Sequence, residues 1–422
     1  MYTIKKKAAE YFPALKTYNY RIYFFGQGVS LIGTWFASVA QQWLIYPTLT
    51  TDKSFLGIVS AVNMIPVALL VLIAGVYADR INKRKTVIAI QLIFAVIALL
   101  ISGLVFTGTI QIWHVLVASA LSGIVFAFDM PTRNALVIDL VDKRDLPSAL
   151  SLNSGIFNAA RALGPALAGI MIAMIGIGPA YLIDGLSFFA VIASLYYMKV
   201  PPHMPTANKR SFAEEFKEGI SYLMDQRIIT VILLLVGVVS FCTWPASVLL
   251  PVYAHDIFKS GEIGYGILQS SIGLGAMVGA FGFSKLFEKI TDIYSFIMRM
   301  FIVCFVLYAT FAFTTIYPIA IALLVSMGWV VSTLYGALNT LLQMNAPTHM
   351  RGRIMSFYSF MIFTSLPLGA IYTSIGVQLM GVRMTIVSAA VTMIVVIGAL
   401  HFIGRHIIAH KMAYLHNTIQ GR

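Results

Sequence analysis

The stretch GVYADRINKRK, residues 75–85, joins two apolar segments of about twenty residues each. Short charged links between apolar segments of this length are typical of membrane proteins, because the charges stay in water while the segments cross the bilayer. The rest of the chain repeats this alternation. The charged residues of the link are an acid followed by four bases, namely Asp79, Arg80, Lys83, Arg84 and Lys85.

The composition supports this interpretation, because 59% of the 422 residues are hydrophobic and only 11% are charged. Apolar runs of about 18 or more residues predict transmembrane helices. Continuous runs favour helices over barrel strands, which alternate over about ten residues. We therefore predict an all-α polytopic membrane protein with twelve transmembrane helices. The predicted spans are residues 20–46, 53–78, 85–107, 112–131, 149–175, 178–199, 228–254, 263–288, 292–314, 317–344, 354–378 and 382–404.

The net charge of +13 follows membrane topology and does not indicate nucleic-acid binding. If the N-terminus is cytoplasmic, most Lys and Arg residues fall in cytoplasmic segments or at inner helix ends. The exceptions are Lys53, Lys259 and Arg383 on the outer side and Arg161 within a span. This positive-inside pattern predicts an integral protein of the bacterial cytoplasmic (inner) membrane with both termini in the cytoplasm.

The longest polar gap between spans divides the chain into two six-helix halves. The gap starts as a Pro-rich linker and ends as a charged amphipathic segment, an organisation that indicates a duplicated transporter with a path between its halves. The basic N-terminal segment should lie along the inner leaflet. The predicted units are a cytoplasmic segment at 1–19, an N-terminal half at 20–199, a cytoplasmic linker at 200–227, a C-terminal half at 228–404 and a cytoplasmic tail at 405–422.

The opening stretch has the pattern G-x-x-x-D-R-x-x-K-R-K and resembles the signature loop of the major facilitator superfamily. Asn82 stands at a position where that family usually has glycine, and asparagine tolerates a left-handed turn there. Residues 128–169, 250–280 and 346–358 look like the exporter branch that includes the enterobactin exporter and the macrolide efflux proteins. The resemblance implies the major facilitator fold and does not identify a substrate.

The signature loop implies a conformational latch on the cytoplasmic side. Asp79 would accept hydrogen bonds from the first turn of the eleventh span, whose dipole favours an anion. The bases would bind anionic headgroups and neighbouring acids. A basic loop that only sets topology is the alternative. The predicted latch residues are Gly75, Asp79, Arg80, Arg84, Arg351, Gly352 and Arg353.

The segment GPALAG in the fifth span resembles the glycine-rich antiporter motif of family exporters, which implies export. Its small residues allow close approach of a neighbouring helix, and a proline would bend the helix. Ordinary small-residue packing is the alternative, and Ser151, Ala160 and Ala168 occupy glycine positions of the motif. The motif residues are Gly164, Pro165 and Gly169.

Polar side chains recur at helical spacing on one face of the first, fifth, seventh and tenth spans. Such faces point away from lipid, so we predict that these four spans border a central substrate cavity. Hydrogen bonding between helices is the alternative. The predicted cavity residues are Gln27, Ser30, Thr34, Ser38, Gln41, Asn158, Ser240, Thr243, Ser247, Trp329, Tyr335, Asn339 and Gln343.

Four charged residues lie within spans of the N-terminal half, where each costs at least about 2.5–3.5 kcal/mol on insertion scales. In a functional interpretation, one of the two acids carries a proton and Arg161 is its movable partner. In a structural interpretation, a fixed ion pair holds the fourth, fifth and sixth helices together. Both predict an acidic or strongly hydrogen-bonding partner for Arg161 within this half. The four residues are Asp129, Arg133, Arg161 and Asp184.

Together these features favour a secondary transporter that exports an amphiphilic small molecule, drug-like or siderophore-like, by alternating access and proton antiport. A lipid or lysolipid flippase of the same fold and a non-transporting membrane scaffold or sensor are the alternatives. We expect neither an enzyme nor a cofactor, because the sequence has no G-x-x-x-x-G-K-[ST] motif, no nucleophile–base set and no metal-ligand spacing. The expected partners are the substrate and membrane lipids, and the expected state is a monomer.

Overall fold

A computed structural model of the protein describes residues 12–78, 81–199, 221–223, 226–287, 290, 292–348 and 350–420. Its long elements are all helices. Those of the N-terminal half are α1 (Tyr18–Trp43), α2 (Ser54–Ala78), α3 (Lys83–Phe106), α4 (Ile112–Leu140), α5 (Leu146–Ile175) and α6 (Ile177–Tyr196). The C-terminal half begins with α7 (Arg227–Val248), α8 (Gly261–Phe287), α9 (Ile293–Phe313) and α10 (Tyr317–Asn345).

The last helical stretch, Arg351–Gln420, crosses the membrane twice. Its candidate spanning part covers 50 residues, or about 75 Å at 1.5 Å per residue, more than twice the roughly 30 Å of a hydrocarbon core. Gly381 divides it, with φ 79° and ψ 171°, a left-handed region that favours glycine. Residues 351–380 are α11 and residues 382–420 are α12. The described part of the chain thus contains the predicted twelve spanning helices, and the all-helical fold class is confirmed.

Several helix ends differ from the prediction. Helix α4 continues to Leu140, past the predicted end at 131, because Leu136, Val137 and Leu140 are buried against neighbouring helices. Asn82 is not left-handed. It lies in the extended region at φ −70° and caps α3, where its side chain accepts a hydrogen bond from the Lys85 amide, a preferred role of asparagine.

Helix α9 begins with a charged cap. The Asp292 carboxylate accepts a hydrogen bond from the Ser295 amide at 3.1 Å. Hydrogen bonding from Ser295 lowers the pKa of Asp292, because it stabilises the ionised form. The helix therefore starts at the water boundary with one of its orphan amides satisfied.

The two halves contact each other chiefly through two helix pairs, α2 with α11 and α5 with α8. Glycines permit these contacts near the outer ends. A Cβ atom at Gly57 would lie 2.6 Å from the Ala370 carbonyl oxygen, and one at Gly266 would lie 2.4 Å from the Pro165 carbonyl oxygen. Backbone approach of this kind is what small residues at membrane interfaces allow.

Near the inner ends, each of the same four helices has a glycine that we call open, because nothing described lies close to its Cβ position. Gly75 of α2, Gly352 of α11, Gly155 of α5 and Gly282 of α8 have no described heavy atom within 4 Å of a Cβ position. The α2–α11 pair is therefore close at Gly57 and has no close contact at Gly75 or Gly352, and α5 likewise has no close contact at Gly155. We call this arrangement a wedge, and we name its closed end outer and its open end inner, following the topology that the basic residues predict.

Candidate functional site

A polar cluster joins the outer ends of the halves. The carboxylate of Asp256, just beyond α7, accepts a hydrogen bond from the Tyr46 hydroxyl at 2.6 Å. It also forms an ion pair with the Lys53 ammonium at 2.6 Å. The Nδ1 atom of His255 lies 2.8 Å from the same carboxylate. Tyr46 and Lys53 belong to the N-terminal half, so Asp256 links the two halves on the outer side.

Trp43, at the end of α1, adds a second link. Its indole N–H donates to the Glu262 carboxylate at 3.0 Å, and its ring stacks on Tyr265 at 5.9 Å. We call these contacts the outer seal, formed by Trp43, Tyr46, Lys53, His255, Asp256, Glu262 and Tyr265. The outer seal was not predicted from the sequence. The available signals were the aromatic residues after the first polar stripe and an outer lysine against the charge bias.

The outer seal depends on irregular helix ends that correspond between the halves. Helix α1 runs into a π-helical turn at Leu44–Leu49. Helix α7 is followed by Leu250–Val252 and a π-helical turn at Tyr253–Ile257. Such turns are rare in proteins overall, and those that occur are often found at functional sites. Here they carry Tyr46 and Asp256 to the junction.

The polar face of α1 is directed towards α4. Gln41 donates to the Ser119 hydroxyl at 2.7 Å, and Arg133 donates to Gln27. Thr34 lies seven residues from each of the two glutamines, so it shares their face of the helix. Its side chain is exposed. The exposed apolar side chains of α1, among them Val29, lie on the opposite side of the helix.

Ser30 was predicted to line the cavity, and the structure places it elsewhere. It is 2% exposed and shares a face with Gly26 and Gly33. Both glycines contact α6, where the Cβ positions approach Ser194 and Ser187 within about 3 Å. Ser30 is therefore packed against α6, because its helical position falls between two close-approach glycines. Ser38 is half-buried and lies on the Thr34 side of the helix.

Asp129 and Arg133 form a buried ion pair within α4. The Arg133 Nε atom lies 2.7 Å from the Asp129 carboxylate, at i,i+4 spacing. Gln91 of α3 donates to Asp129 at 3.5 Å, Arg133 also donates to Gln27, and Tyr23 of α1 hydrogen-bonds to Arg133. Asp129 is therefore not the partner of Arg161, and the pair joins α1, α3 and α4.

Arg161 faces the other half of the protein. Its carbonyl oxygen would lie 2.3 Å from a Cβ atom at Gly273 of α8, and its guanidinium lies within electrostatic range of Tyr335 and Tyr308. Within the described residues, it has no ion pair. The predicted partner in the N-terminal half is thus wrong, because the close α5–α8 contact turns this part of α5 towards the C-terminal half.

Asp184 of α6 lines a small cavity inside the N-terminal half. The residue is 5% exposed, and its Oδ1 atom has no hydrogen-bond partner among the described residues. The cavity has a volume of about 90 Å³ and lies between α1, α3, α4 and α6. Its other polar lining groups are Gln41, Ser119, Ser122 and Tyr181.

In the C-terminal half, the structure brings several predicted cavity residues together. The hydroxyls of Ser240 and Tyr335 lie 2.8 Å apart. Gln343 donates to Asn339 at 2.6 Å, and Asn339 also hydrogen-bonds to Tyr358 of α11. The tyrosine at 358 was not predicted, although its spacing from the start of α11 would place it on an inner turn.

The remaining predicted cavity residues have different surroundings. Thr243 donates to the Val239 carbonyl at 2.7 Å and hydrogen-bonds to Tyr308 of α9. Asn158 donates to the Ser154 carbonyl at 2.8 Å on the same face as Arg161. Ser247 is half-buried, and Trp329 is half-buried with its backbone against Gly275 and Gly279 of α8.

The antiporter-like residues of α5 serve close packing. A Cβ atom at Gly164 would lie 2.7 Å from the Trp35 side chain, and one at Gly169 would lie 2.5 Å from the Glu262 carbonyl oxygen. Pro165 supplies the carbonyl that Gly266 approaches. This short segment therefore contacts both α1 and the other half, next to the outer seal.

The predicted latch is only partly described. Asp79 and Arg80 lie outside the described residues, Gly75 and Gly352 are open, and Arg351 is exposed. Arg84 donates to the Tyr196 carbonyl at 2.9 Å, so it binds within its own half and not across the interface. Arg353 lies 3.4 Å from the Met350 sulfur. Lys83 pairs with Asp139 at 2.7 Å, as expected for a base that binds a neighbouring acid.

The described residues contain no group of three or more His, Cys, Asp and Glu residues that could hold a metal ion. Cys242 and Cys304 are free and buried.

Two six-helix halves around a polar interface define a membrane transporter of the major facilitator fold, not an enzyme. The fold is shared with a bacterial homologue of the human lysosomal transporter Spinster, at a TM-score of 0.72 and 14% identity, over 92% of this chain and 96% of that one. The nucleoside transporter NupG has a TM-score of 0.69 at 14% identity, over 92% and 98% of the two chains. The family model described as "Transmembrane secretion effector" matches residues 9–412, and the chain belongs to this major facilitator family.

The named relatives are efflux proteins and a siderophore transporter. The staphyloferrin A transporter of Staphylococcus aureus is 25% identical over 91% of this chain and 96% of its own length. The macrolide efflux protein A of Streptococcus pyogenes is 25% identical over 62% of this chain and 66% of its own length. The multidrug efflux pump Tap of Mycolicibacterium fortuitum is 24% identical over 84% and 88%. The expected exporter branch is thereby confirmed.

Proposed function

We propose that this protein exports an amphiphilic small molecule from the cytoplasm by alternating access. The observation that carries the proposal is the wedge between the halves, sealed by Tyr46, Lys53 and Asp256 on the outer side and open on the inner side. An exporter loads its substrate in this state. Release then requires the outer seal to break and the inner ends to close.

We further propose that the proton gradient drives export and that Asp184 carries the proton. Asp129 is paired with Arg133 at 2.7 Å within α4, so its ionised form is already compensated and it is the less suitable carrier. Asp184 is 5% exposed, and one of its oxygens lacks a partner among the described residues. A buried carboxylate without a cation is strongly disfavoured in its ionised form. The adjoining cavity is lined mostly by apolar side chains, but it also carries the polar groups of Gln41, Ser119, Ser122 and Tyr181 and has room for water, which could pass a proton to Asp184.

We propose that the protein is a monomer in the bacterial cytoplasmic membrane. Both of its termini would lie in the cytoplasm. Single cysteines at Thr109 and Ile316 should react with an impermeant maleimide from outside, and one at Lys143 should not. Cys242 and Cys304 are buried and should stay unlabelled. Labelling of position 143 from outside would refute this orientation.

Transport in everted membrane vesicles tests the function. In this geometry an exporter accumulates substrate inside the vesicle, so a panel of fluorescent amphiphiles should enter when respiration sets up a proton gradient. A protonophore should abolish accumulation. Uptake of no panel member above that of vesicles lacking the protein would contradict export, and accumulation insensitive to the protonophore would contradict proton coupling.

The variant Asp184→Asn tests the carrier separately. It should lose gradient-driven accumulation and retain downhill exchange of the same compound, because an amide cannot carry the proton. Asp142→Asn is the matched control, since Asp142 is an exposed acid in the link between α4 and α5. Full gradient-driven uptake by Asp184→Asn would exclude this acid as the carrier.

A further inference from the structure

The feature that the transport cycle leaves unexplained is the charge of Arg161. The residue lies about 22 Å from the inner end of α5 and about 21 Å from its outer end, at 1.5 Å per residue. Its carbonyl contacts α8 beside Gly273. It therefore sits at mid-membrane depth and at the junction of the two halves.

No acid of the described residues compensates this charge. Asp129 is paired with Arg133, and Asp256 is paired with Lys53 at the outer surface. Asp184 lines a cavity bounded by helices of the N-terminal half alone, whereas Arg161 lies against α8 of the other half and within electrostatic range of its tyrosines at 335 and 308. A guanidinium keeps its proton in proteins, so it cannot escape the cost of burial by neutralising itself.

The groups around Arg161 are suited to an anion. Tyr335 and Tyr308 offer hydroxyls, and both are already held in place, by Ser240 at 2.8 Å and by Thr243. Asn158 lies three residues before Arg161 on the same face of α5 and offers an amide. Hydroxyl and amide groups can donate to a carboxylate, and a guanidinium binds one with two parallel hydrogen bonds.

We infer that Arg161, with Tyr335 and Tyr308, forms a binding subsite for a carboxylate, and that the transported molecule is an anionic amphiphile. This inference rests on the proposed export function, because it assigns the substrate class to the path between the two halves. The carboxylate supplies the missing negative charge, and a cationic substrate would meet an uncompensated like charge. The ligand would touch α5 of one half and α9 and α10 of the other. It would thereby sense the separation of the halves.

The experiment compares three probes that share one aromatic body and differ in charge. They are 2-naphthylacetate, 2-naphthylethanol and 2-naphthylethylamine. Binding to the purified full chain in nanodiscs is measured by calorimetry, with empty nanodiscs as the blank. The wild type should bind the carboxylate roughly tenfold to a hundredfold more tightly than the alcohol, as expected for hydrogen bonds to a charged group. It should bind the amine most weakly.

Three variants locate the preference. Arg161→Gln should lose the carboxylate preference and keep its affinity for the alcohol, which also shows that the fold is intact. Arg161→Lys should retain part of the preference, because the charge remains and the two-pronged geometry is lost. Arg299→Gln is the control, since Arg299 is an exposed arginine of α9, and it should behave as the wild type.

Equal binding of the three probes by the wild type, tightest binding of the amine, or binding of none would overturn the inference without any variant. A carboxylate preference that survives in Arg161→Gln would overturn the role of this residue. These measurements use no gradient, so their failure is separate from failure of export. A carboxylate preference without vesicle transport would support the subsite and contradict the export function. Vesicle transport without a carboxylate preference would support the export function and contradict the subsite.

Discussion

The hydroxyl of Tyr46 and the carboxylate of Asp256 lie 2.6 Å apart across the junction of the two halves, although 210 residues separate them in sequence. Lys53 reaches the same carboxylate at 2.6 Å. The halves cannot separate on the outer side while these contacts persist. The strength of the outer seal therefore helps to set the balance between inward-open and outward-open states.

Removing the charge of Asp256 should shift this balance towards the outward-open state. The side chains of Lys53 and Asp256 are 33% and 28% exposed, so solvent screening reduces their interaction to about 1 kcal/mol. Asp256→Asn should then raise the outward-open population about fivefold. The measurement is the distance distribution between spin labels at Thr109 and Ile316, which lie on the outer side of opposite halves.

Lys259→Gln serves as the control for the seal variant, because it removes a charge from the same exposed outer loop and should leave the distances unchanged. If Asp256→Asn also leaves them unchanged, the contacts at Asp256 do not influence the conformational balance.

A methyl group at Gly57 should separate α2 from α11 on the outer side. Its Cβ would lie 2.6 Å from the Ala370 carbonyl oxygen and 2.7 Å from the Ser374 amide nitrogen, so the helix backbones must shift. Overpacking of this kind costs about 1–3 kcal/mol. Gly57→Ala should lower the inward-open population in the same spin-label measurement and slow vesicle uptake.

Gly103 of α3 provides the matched substitution, because no described heavy atom lies within 4 Å of its Cβ position. Gly103→Ala should retain the distances and the transport rate. Equal behaviour of the two alanine variants would show that the α2–α11 contact adapts without cost.

The pair of Asp129 and Arg133 should matter for stability more than for transport. Arg133→Gln leaves the carboxylate of Asp129, a residue that is 8% exposed, without its cation. Breaking a buried pair from one side typically costs about 3–5 kcal/mol. The free energy of unfolding of the purified protein, followed by circular dichroism, should fall by about this amount.

The double variant Asp129→Asn with Arg133→Gln should recover most of that loss, since no unpaired charge remains. Arg144→Gln, at an exposed arginine of the link between α4 and α5, should cost less than about 0.5 kcal/mol. A double variant as unstable as Arg133→Gln alone would mean that shape, and not charge, holds this cluster together.

The spans could be predicted from the sequence because the length and continuity of an apolar run follow directly from the thickness of the bilayer. The charge pattern and the signature loop led to the correct superfamily. The spacing of Asp129 and Arg133 at i,i+4 was also visible in the sequence, and it is the pairing that the structure contains.

The surroundings of Arg161 and the outer seal could not be predicted in this way. Arg161 turns towards Tyr335 because Gly273 lets α8 approach its backbone, a contact between helices in different halves. Trp43 and Glu262 are 219 residues apart in sequence. No local periodicity encodes such pairs, since they arise only when the halves pack.

The predicted latch remains to be tested at Asp79. This residue lies outside the described residues, and Gly75 and Gly352 are open on the inner side, as expected for a state in which such a latch is released. In the outward-open state the inner ends close, and Asp79 should then contact the first turn of α11. One contact between a charge and a helix dipole contributes about 0.3–2 kcal/mol.

Asp79→Asn should therefore lower the outward-open population by roughly twofold to thirtyfold and slow export without unfolding the protein. Spin labels at Lys85 and Met344, which are exposed at the inner ends of opposite halves, report the inner separation, and Asp142→Asn is the control. The latch and the outer seal act on the same equilibrium with opposite signs, so Asp79→Asn combined with Asp256→Asn should return the distances towards those of the wild type. Unchanged distances and unchanged export in Asp79→Asn would instead leave the loop with topology as its function.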